Sequence, residues 1–260
     1  MIVKHLLSRM VSGRHGMPQR GSRRKLFFDR RPHLIYAVGD IHGCYSLLLK
    51  MEQFIVRDAA NISDEKWIIL LGDYVDRGFE SAAVLNHLSS PPPPGFKRFC
   101  LAGNHEELML SYLDNPAPEH DWLRLGGRDT LRSYGIDAAA ERGPSIRGLL
   151  ASRIPPHHVA FLQAAPSLLS VPHYTFVHGG TRAGIPLERQ LDQDLLWSRP
   201  DFDTGDVVPT GFITVHGHTP VQNIELKAGR INVDTGAFKS GILSGVRIDQ
   251  DHKIVKLAVS

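Results

Sequence analysis

The sequence predicts an α/β protein, and three observations carry that prediction. Short apolar runs recur from Leu34 onward, each closing on a polar cluster that contains glycine. The first two runs are followed by helix-period patterns, which gives a βαβ-like opening. The segment 230–259 holds three strand-like runs separated by turn-prone residues.

The chain opens on a basic arm. Residues 1–33 hold nine Lys/Arg against one acid, Asp29, a net charge of +8, whereas the remainder holds 21 basic and 26 acidic residues, a net charge of −5. Ile2, Val3, Leu6, Leu7, Met10 and Val11 recur at helical spacing, and residues 12–25 read as a Gly/Ser/Arg-rich linker. The apolar stripe is too short and too interrupted for a secretory signal. The arm is expected to be a flexible tail. The alternative use of its stripe and charge is weak contact of residues 1–25 with an anionic membrane surface.

Leu34–Val38, before Gly39-Asp40, is the first expected strand, and Ser46–Ala59 the first helix. Trp67–Leu71 precedes Gly72-Asp73 and leads to a helix over Glu80–Leu88. Pro91–Pro94 is a rigid connector to Phe99–Ala102, which ends at Gly103-Asn104-His105. Residues 106–170 show helical periodicity broken by Pro and Gly. Tyr174–Val177 runs into His178-Gly179-Gly180, and Phe212–Val215 into His216-Gly217-His218. Arg230–Val233, Ile242–Ile248 and Lys253–Val259 are read as a closing meander. The expected organisation is an arm, 1–33, then one folded domain, 34–260, with a helical insert near 106–170.

Composition excludes several classes. An apolar share of 42% supports a sizeable core and rules out wholesale disorder. No stretch approaches the roughly 18–20 apolar residues of a membrane span. Cys44 and Cys100 cannot build a disulfide framework and lack metal-pair spacing, so a reducing cytoplasm is the expected compartment. The basic charge belongs to the arm and the body is mildly acidic, so no specific nucleic-acid binding is expected.

The chemistry gathers at the strand ends. Asp40 and His42 close the first run; Asp73, Asp76 and Arg77 the second; Asn104, His105 and Glu106 the third; His178 the fourth; His216 and His218 the fifth. In open α/β sheets such ends converge on one crevice. Asp, His and Asn suit Mn²⁺, Fe²⁺ or Zn²⁺, and the absence of thiolates argues against structural zinc. Two carboxylates, an amide and several imidazoles exceed what one tetrahedral ion needs; two ions roughly 3.5–4 Å apart would use them all. Singly, each motif has a bland reading: a turn at Gly39-Asp40 or His178-Gly-Gly, a helix cap at Asn104-His105. Their conjunction, five in order and each after a strand, carries the dinuclear reading.

GDIHG, GDYVDRG, GNHE, HGG and HGHT in this order resemble the calcineurin-like metallophosphoesterases, and within them the phosphoprotein phosphatase family of serine/threonine phosphatases. The likeness runs from about Leu34 to the C-terminus. It implies a central β-sandwich flanked by helices, in αββα layers. It also implies a first metal held by Asp40, His42 and Asp73, and a second held by Asp73, Asn104, His178 and His218, with Asp73 bridging. By the same resemblance His105 is the general acid, Asp76 orients it, Arg77 grips the phosphate, and Arg199 of Trp197-Ser198-Arg199 is a second phosphate arginine. His216 stands where eukaryotic members carry Arg and is left outside the ligand set. Mn²⁺ is the expected ion, with Fe or Zn as alternatives. Leu101-Ala102-Gly103 lacks the arginine of the eukaryotic LRGNHE, and Asn232–Phe238 replaces their SAPNYC loop. Together with Trp122–Gly127 and Thr130–Gly135, these departures resemble bacterial members, among which protein phosphatases and dinucleoside-tetraphosphate hydrolases share one core.

The expected reaction follows. Two cations lower the pKa of a shared water, and the bridging hydroxide attacks phosphorus in line without a phosphoenzyme. Arginines and metals neutralise the equatorial oxygens. A Ser or Thr alkoxide leaves poorly and must be protonated, the task given to His105. The expected enzyme is a metal-dependent phosphatase acting on phosphoserine or phosphothreonine in proteins, with a symmetrical dinucleoside-tetraphosphate hydrolase as the rival. Its partner is accordingly a phosphoprotein or a small phosphoester.

Overall fold

The computed structural model describes residues 22–137, 144–199 and 212–260. Two mixed sheets stack face to face with helices packed outside them. One sheet has five strands in the order β11-β10-β2-β3-β4: β2 (Leu34–Val38), β3 (Lys66–Leu70), β4 (Phe96–Cys100), β10 (Leu243–Ile248) and β11 (Ile254–Val259). The other has six in the order β1-β5-β6-β7-β9-β8: β1 (Lys25–Phe27), β5 (Leu168–Val171), β6 (Tyr174–Val177), β7 (Ile213–His216), β8 (Glu225–Lys227) and β9 (Arg230–Asn232).

The continuous apolar runs of β2 and β3 arise because both faces of these strands are covered. Ile35, Ala37, Trp67 and Ile69 point between the sheets, against Leu169, Phe176, Val215 and Ile231. The alternate residues Tyr36, Val38, Ile68 and Leu70 point outward under α1 (Tyr45–Asp58) and α2 (Ser81–Leu88). β2, β3 and β4 are mutually parallel, joined by α1 and α2, so the βαβ reading of the opening holds and is extended by one strand. After β4 come α3 (Asn104–Asp114), a π-helical turn (Leu123–Gly127), α4 (Arg128–Ser133), α5 (Pro144–Arg153) and α6 (Pro156–Ala164). α7 (Asp192–Trp197) and the single turn α8 (Ala237–Ser240) complete the helices used below. Among the described residues no helix is long and apolar enough to cross a membrane.

Two readings change. The closing meander is divided between the sheets: β9 lies between β7 and β8, whereas β10 pairs with both β2 and β11. Strand pattern announces a strand but not its partner, and here consecutive runs go to opposite layers. The boundary of the arm also moves. Lys25–Phe27, assigned to the linker and arm by composition, forms edge strand β1, parallel to β5. Phe28 then packs edge-on against Trp67 and Phe99, at 4.7 and 5.6 Å between ring centroids. The side chain of Arg23, one of the nine basic residues of the arm, is 7% exposed: it pairs with Glu107 and donates to the carbonyls of Leu162 and Ala165. Lys25 Nζ donates to the Glu188 carbonyl. The helical stripe read at residues 2–11 lies outside the described residues.

Candidate metal centre

The loops after β2, β3, β6 and β7, with the start of α3, bring the expected side chains together. His42, Asp73, Asp76, Arg77 and His218 all take positive φ, between 44° and 75°. A left-handed backbone costs an L-residue about 1 kcal/mol or more, so the surrounding fold holds these five in place.

Asp73 stands at the middle, fully buried. Its Oδ2 is 3.4 Å from His42 Nε2 and 3.9 Å from His105 Nε2, while its Oδ1 is 3.3 Å from His178 Nε2. Two sets of ligand atoms, His42/Asp73/His105 and Asp73/His178/His218, each lie within 4.8 Å of one another, and Asp73 belongs to both. Asn104 Oδ1 closes the second set, 2.9 Å from His178 Nε2 and 3.0 Å from His218 Nδ1. Asp40 is buried beside the centre but belongs to neither triplet: both its oxygens accept the His218 N–H at 3.2 Å, and Oδ1 lies 3.9 Å from His178 Nδ1. His105 completes the first triplet with His42 and Asp73, and Asp40 stands beside them on the His218 backbone.

The imidazoles are oriented from behind. His42 Nδ1 donates to the Val75 carbonyl at 2.8 Å, and His178 Nδ1 to the Leu71 carbonyl at 2.9 Å, which turns both Nε2 atoms toward Asp73. Burial opposes charge on His178, yet the Asp73 and Asp40 carboxylates push its pKa up to about 10. Burial would raise Asp73, but His178, His105 and His42 hold it well below the usual carboxylate range. Burial, and then the Asp234 charge, raise Asp40. His216, left outside the ligand set, is buried on β7 with Nδ1 3.1 Å from the Gly217 carbonyl, and burial pushes its pKa down to about 4.

Buried imidazole nitrogens and carboxylate oxygens, without thiolates, form a donor set suited to borderline-hard divalent ions, and a carboxylate shared between two imidazole sets fits a pair of them. The residues present therefore fit a dinuclear centre.

Two arginines converge on it. Arg77 spreads its fork over two rings, Nη1 at 2.8 Å from His42 Nε2 and Nη2 at 3.1 Å from His105 Nε2. Its guanidinium lies 4.8 Å over the ring of Phe238. Arg199 Nε donates to His218 Nε2 at 3.3 Å, and burial followed by the nearby Arg77 charge lowers its pKa.

Several residues had no role in the sequence reading. Glu106, the last letter of GNHE, accepts the backbone N–H groups of Gly103, Asp73 and Tyr74 at 2.8 Å each, tying α3 to the Asp73 loop. Trp122 Nε1 and Thr130 Oγ1 donate to Asp76 at 2.8 and 2.6 Å. The π-helical turn passes so close that a Cβ on Gly126 would sit 2.7 Å from Arg77 N, and its φ of 122° suits glycine. Both segments stand out in the sequence, but nothing in periodicity says that they brace Asp76.

The sequence profile of the calcineurin-like phosphoesterases matches residues 33–242. Serine/threonine-protein phosphatase 2 of Salmonella typhimurium is 31% identical over 82% of this chain and 92% of its own length. The asymmetrical bis(5'-nucleosyl)-tetraphosphatase PrpE of Bacillus velezensis is 24% identical over 86% and 92%. Among solved structures, a protein serine/threonine phosphatase from Saccharomyces cerevisiae superposes with a TM-score of 0.56 at 14% identity, covering 100% of this chain and 88% of that one. The cold-active protein-tyrosine phosphatase of a Shewanella species does so with 0.57 at 17%, covering 90% and 82%. At these identities the superpositions speak for the fold alone. The profile match across most of the chain, the Salmonella relative and the Asp73-centred ligand sets agree: the chain belongs to the calcineurin-like phosphoesterase family and is a metal-dependent phosphoesterase.

Proposed function

We propose that this phosphoesterase removes phosphate from phosphoserine or phosphothreonine in proteins. The observation that carries the reading is Asp73 shared between two imidazole sets, with Arg77 on one side and Arg199 on the other. Two divalent ions, with Mn²⁺ as the expected species, supply Lewis acidity and an activated water when bound. Asp40, His42 and Asp73 would hold one, and Asp73, Asn104, His178 and His218 the other.

The remaining work falls to the chain itself. Arg77 and Arg199 hold the phosphoryl oxygens and neutralise charge that builds on them. His105 presents Nε2 to the centre while Nδ1 is anchored on Asp76 Oδ2 at 2.6 Å. As the imidazolium it gives its Nε2 proton to the departing oxygen, and the buried Asp76 carboxylate, accepting from Nδ1–H, orients the ring and stabilises that positive charge. A buried acid of this kind favours an alkoxide leaving group, because a nucleotide phosphate departs readily without one. The 31% identical Salmonella relative supports the same substrate class.

The second reading is hydrolysis of dinucleoside tetraphosphates. The 40% exposed ring of Phe238, beside Arg77, offers a face on which a base could stack, and the Bacillus relative carries that activity in its name. Comparing kcat/KM for a phosphoserine peptide and for diadenosine tetraphosphate, with Mn²⁺ present, tests the choice. Preference for the peptide is expected. A higher value for the dinucleotide overturns the protein-phosphatase reading.

A further inference from the structure

We propose that Asp234 is part of the metal centre, supplying a further carboxylate oxygen to the cation on its Asp40 side. The inference rests on the dinuclear reading and adds a residue that neither the motifs nor the two ligand triplets contain.

Asp234 follows β9 and is 1% exposed. Its backbone is pinned: N donates to Asn232 Oδ1 at 3.0 Å, and the carbonyl accepts from Val221 N at 3.0 Å. Oδ1 accepts the Gly236 N–H at 2.8 Å. Oδ2, equally buried, has no hydrogen-bond partner among the described residues. A buried anionic oxygen without a partner is strongly unfavourable, and a cation beside it removes that cost.

The neighbourhood says where. Gly217 is the wall between Asp234 and Asp40: a Cβ there would overlap Asp40 Oδ1 and lie 3.8 Å from Asp234 Cβ. A Cβ on Gly39, the residue before Asp40, would lie 3.3 Å from Asp234 Cα. Asp234 is thus buried next to Asp40, and the hydrogen bonds Asp40 receives among the described residues come from the single backbone N–H of His218.

His178 Nδ1 stands 3.9 Å from Asp40 Oδ1, but its hydrogen bonds go to the Leu71 carbonyl and Asn104, while Arg77 is held between His42 and His105, and Arg199 on His218. A divalent cation at Asp40 supplies the missing charge for both carboxylates, and an added oxygen donor suits a hard ion such as Mn²⁺.

The test is Mn²⁺ titration of the full-length, chelator-stripped protein by calorimetry, with thermal unfolding of the stripped form alongside. Wild type is expected to bind two ions. Asp234→Asn, nearly isosteric but uncharged, is expected to weaken one ion about 10–100-fold and leave the other unchanged. The stripped variant is expected to unfold no earlier than stripped wild type, because repulsion with Asp40 is relieved. Combining it with Asp40→Asn should cost less than the sum of the two, since both act on one ion. If Asp234→Asn does not fold, Asp234→Ser is read in the same way. Two ions bound with wild-type affinity, or equal weakening of both ions with a less stable stripped protein, overturns the proposal. Failure of wild type to bind two ions overturns the dinuclear reading itself.

Discussion

His105 Nδ1 lies 2.6 Å from Asp76 Oδ2, and that same oxygen accepts the Trp122 indole N–H at 2.8 Å. The imidazole–carboxylate pair is therefore clamped between α3 and the residue that opens the π-helical turn, with His105 Nε2 left facing Asp73 and Arg77.

Replacing His105 by Asn is expected to lower kcat for alkyl phosphates on the order of 10²–10⁴-fold while two ions stay bound. Aryl phosphates, whose leaving group needs less protonation, should lose less. Equal losses for the two substrate types would show that His105 is not the proton donor.

The brace behind Asp76 should matter in its own right. Thr130→Val removes the donor 2.6 Å from Asp76 Oδ1, and Trp122→Phe removes one of the two at Oδ2. Each is expected to cost roughly 1–3 kcal/mol in stability by leaving a buried carboxylate underbonded, and to lower kcat as His105 loses its fixed orientation. Denaturant unfolding and kcat measured on the same variants would expose a purely structural role: stability falling with kcat unchanged.

Asp73 is the one carboxylate common to both ligand sets. Asp73→Asn keeps its shape and removes the shared anion, so metal content measured after gel filtration should fall for both ions, and turnover with it. A variant that retains two ions and full turnover at saturating substrate would remove Asp73 from the bridging position.

Arg77 bonds to two imidazoles and stacks on Phe238 at once, which a planar fork can do and an ammonium cannot. Arg77→Lys is expected to lower kcat/KM at least about tenfold, roughly 1.4 kcal/mol of transition-state stabilisation. Full activity in the lysine variant would mean that charge alone suffices.

The pH response of the metal-free protein follows from His178. Its folded pKa, about 10, stands above the ordinary 6.5, so protonation favours the native state. The stability it contributes is complete below about pH 6.5 and is lost as pH rises toward 10. The chelator-treated protein should therefore melt at progressively lower temperature from pH 7 to 10, whereas metal-loaded protein, in which an ion takes the place of that proton, should change less. A midpoint that rises over this range in the chelator-treated form would contradict the charge assigned to His178.

The sequence by itself determined the chemistry and most of the strands. Asp40, His42, Asp73, Asn104, His105, His178 and His218 each follow an apolar run, and a buried strand that ends in a residue of metal-ligating or acid–base type is a local pattern, readable without knowing its neighbours. Tertiary structure decided which runs pair. It sent β9 to one sheet and β10–β11 to the other, and it drew Lys25–Phe27 out of the basic arm to the edge beside β5. It also decided what stands behind the ligands. Trp122 and Thr130 reach Asp76 across 46 and 54 residues, and Asp234 meets Asp40 across Gly217. Periodicity reports which face of an element is covered, whereas these contacts depend on which distant segment does the covering, and only packing of the whole chain settles that.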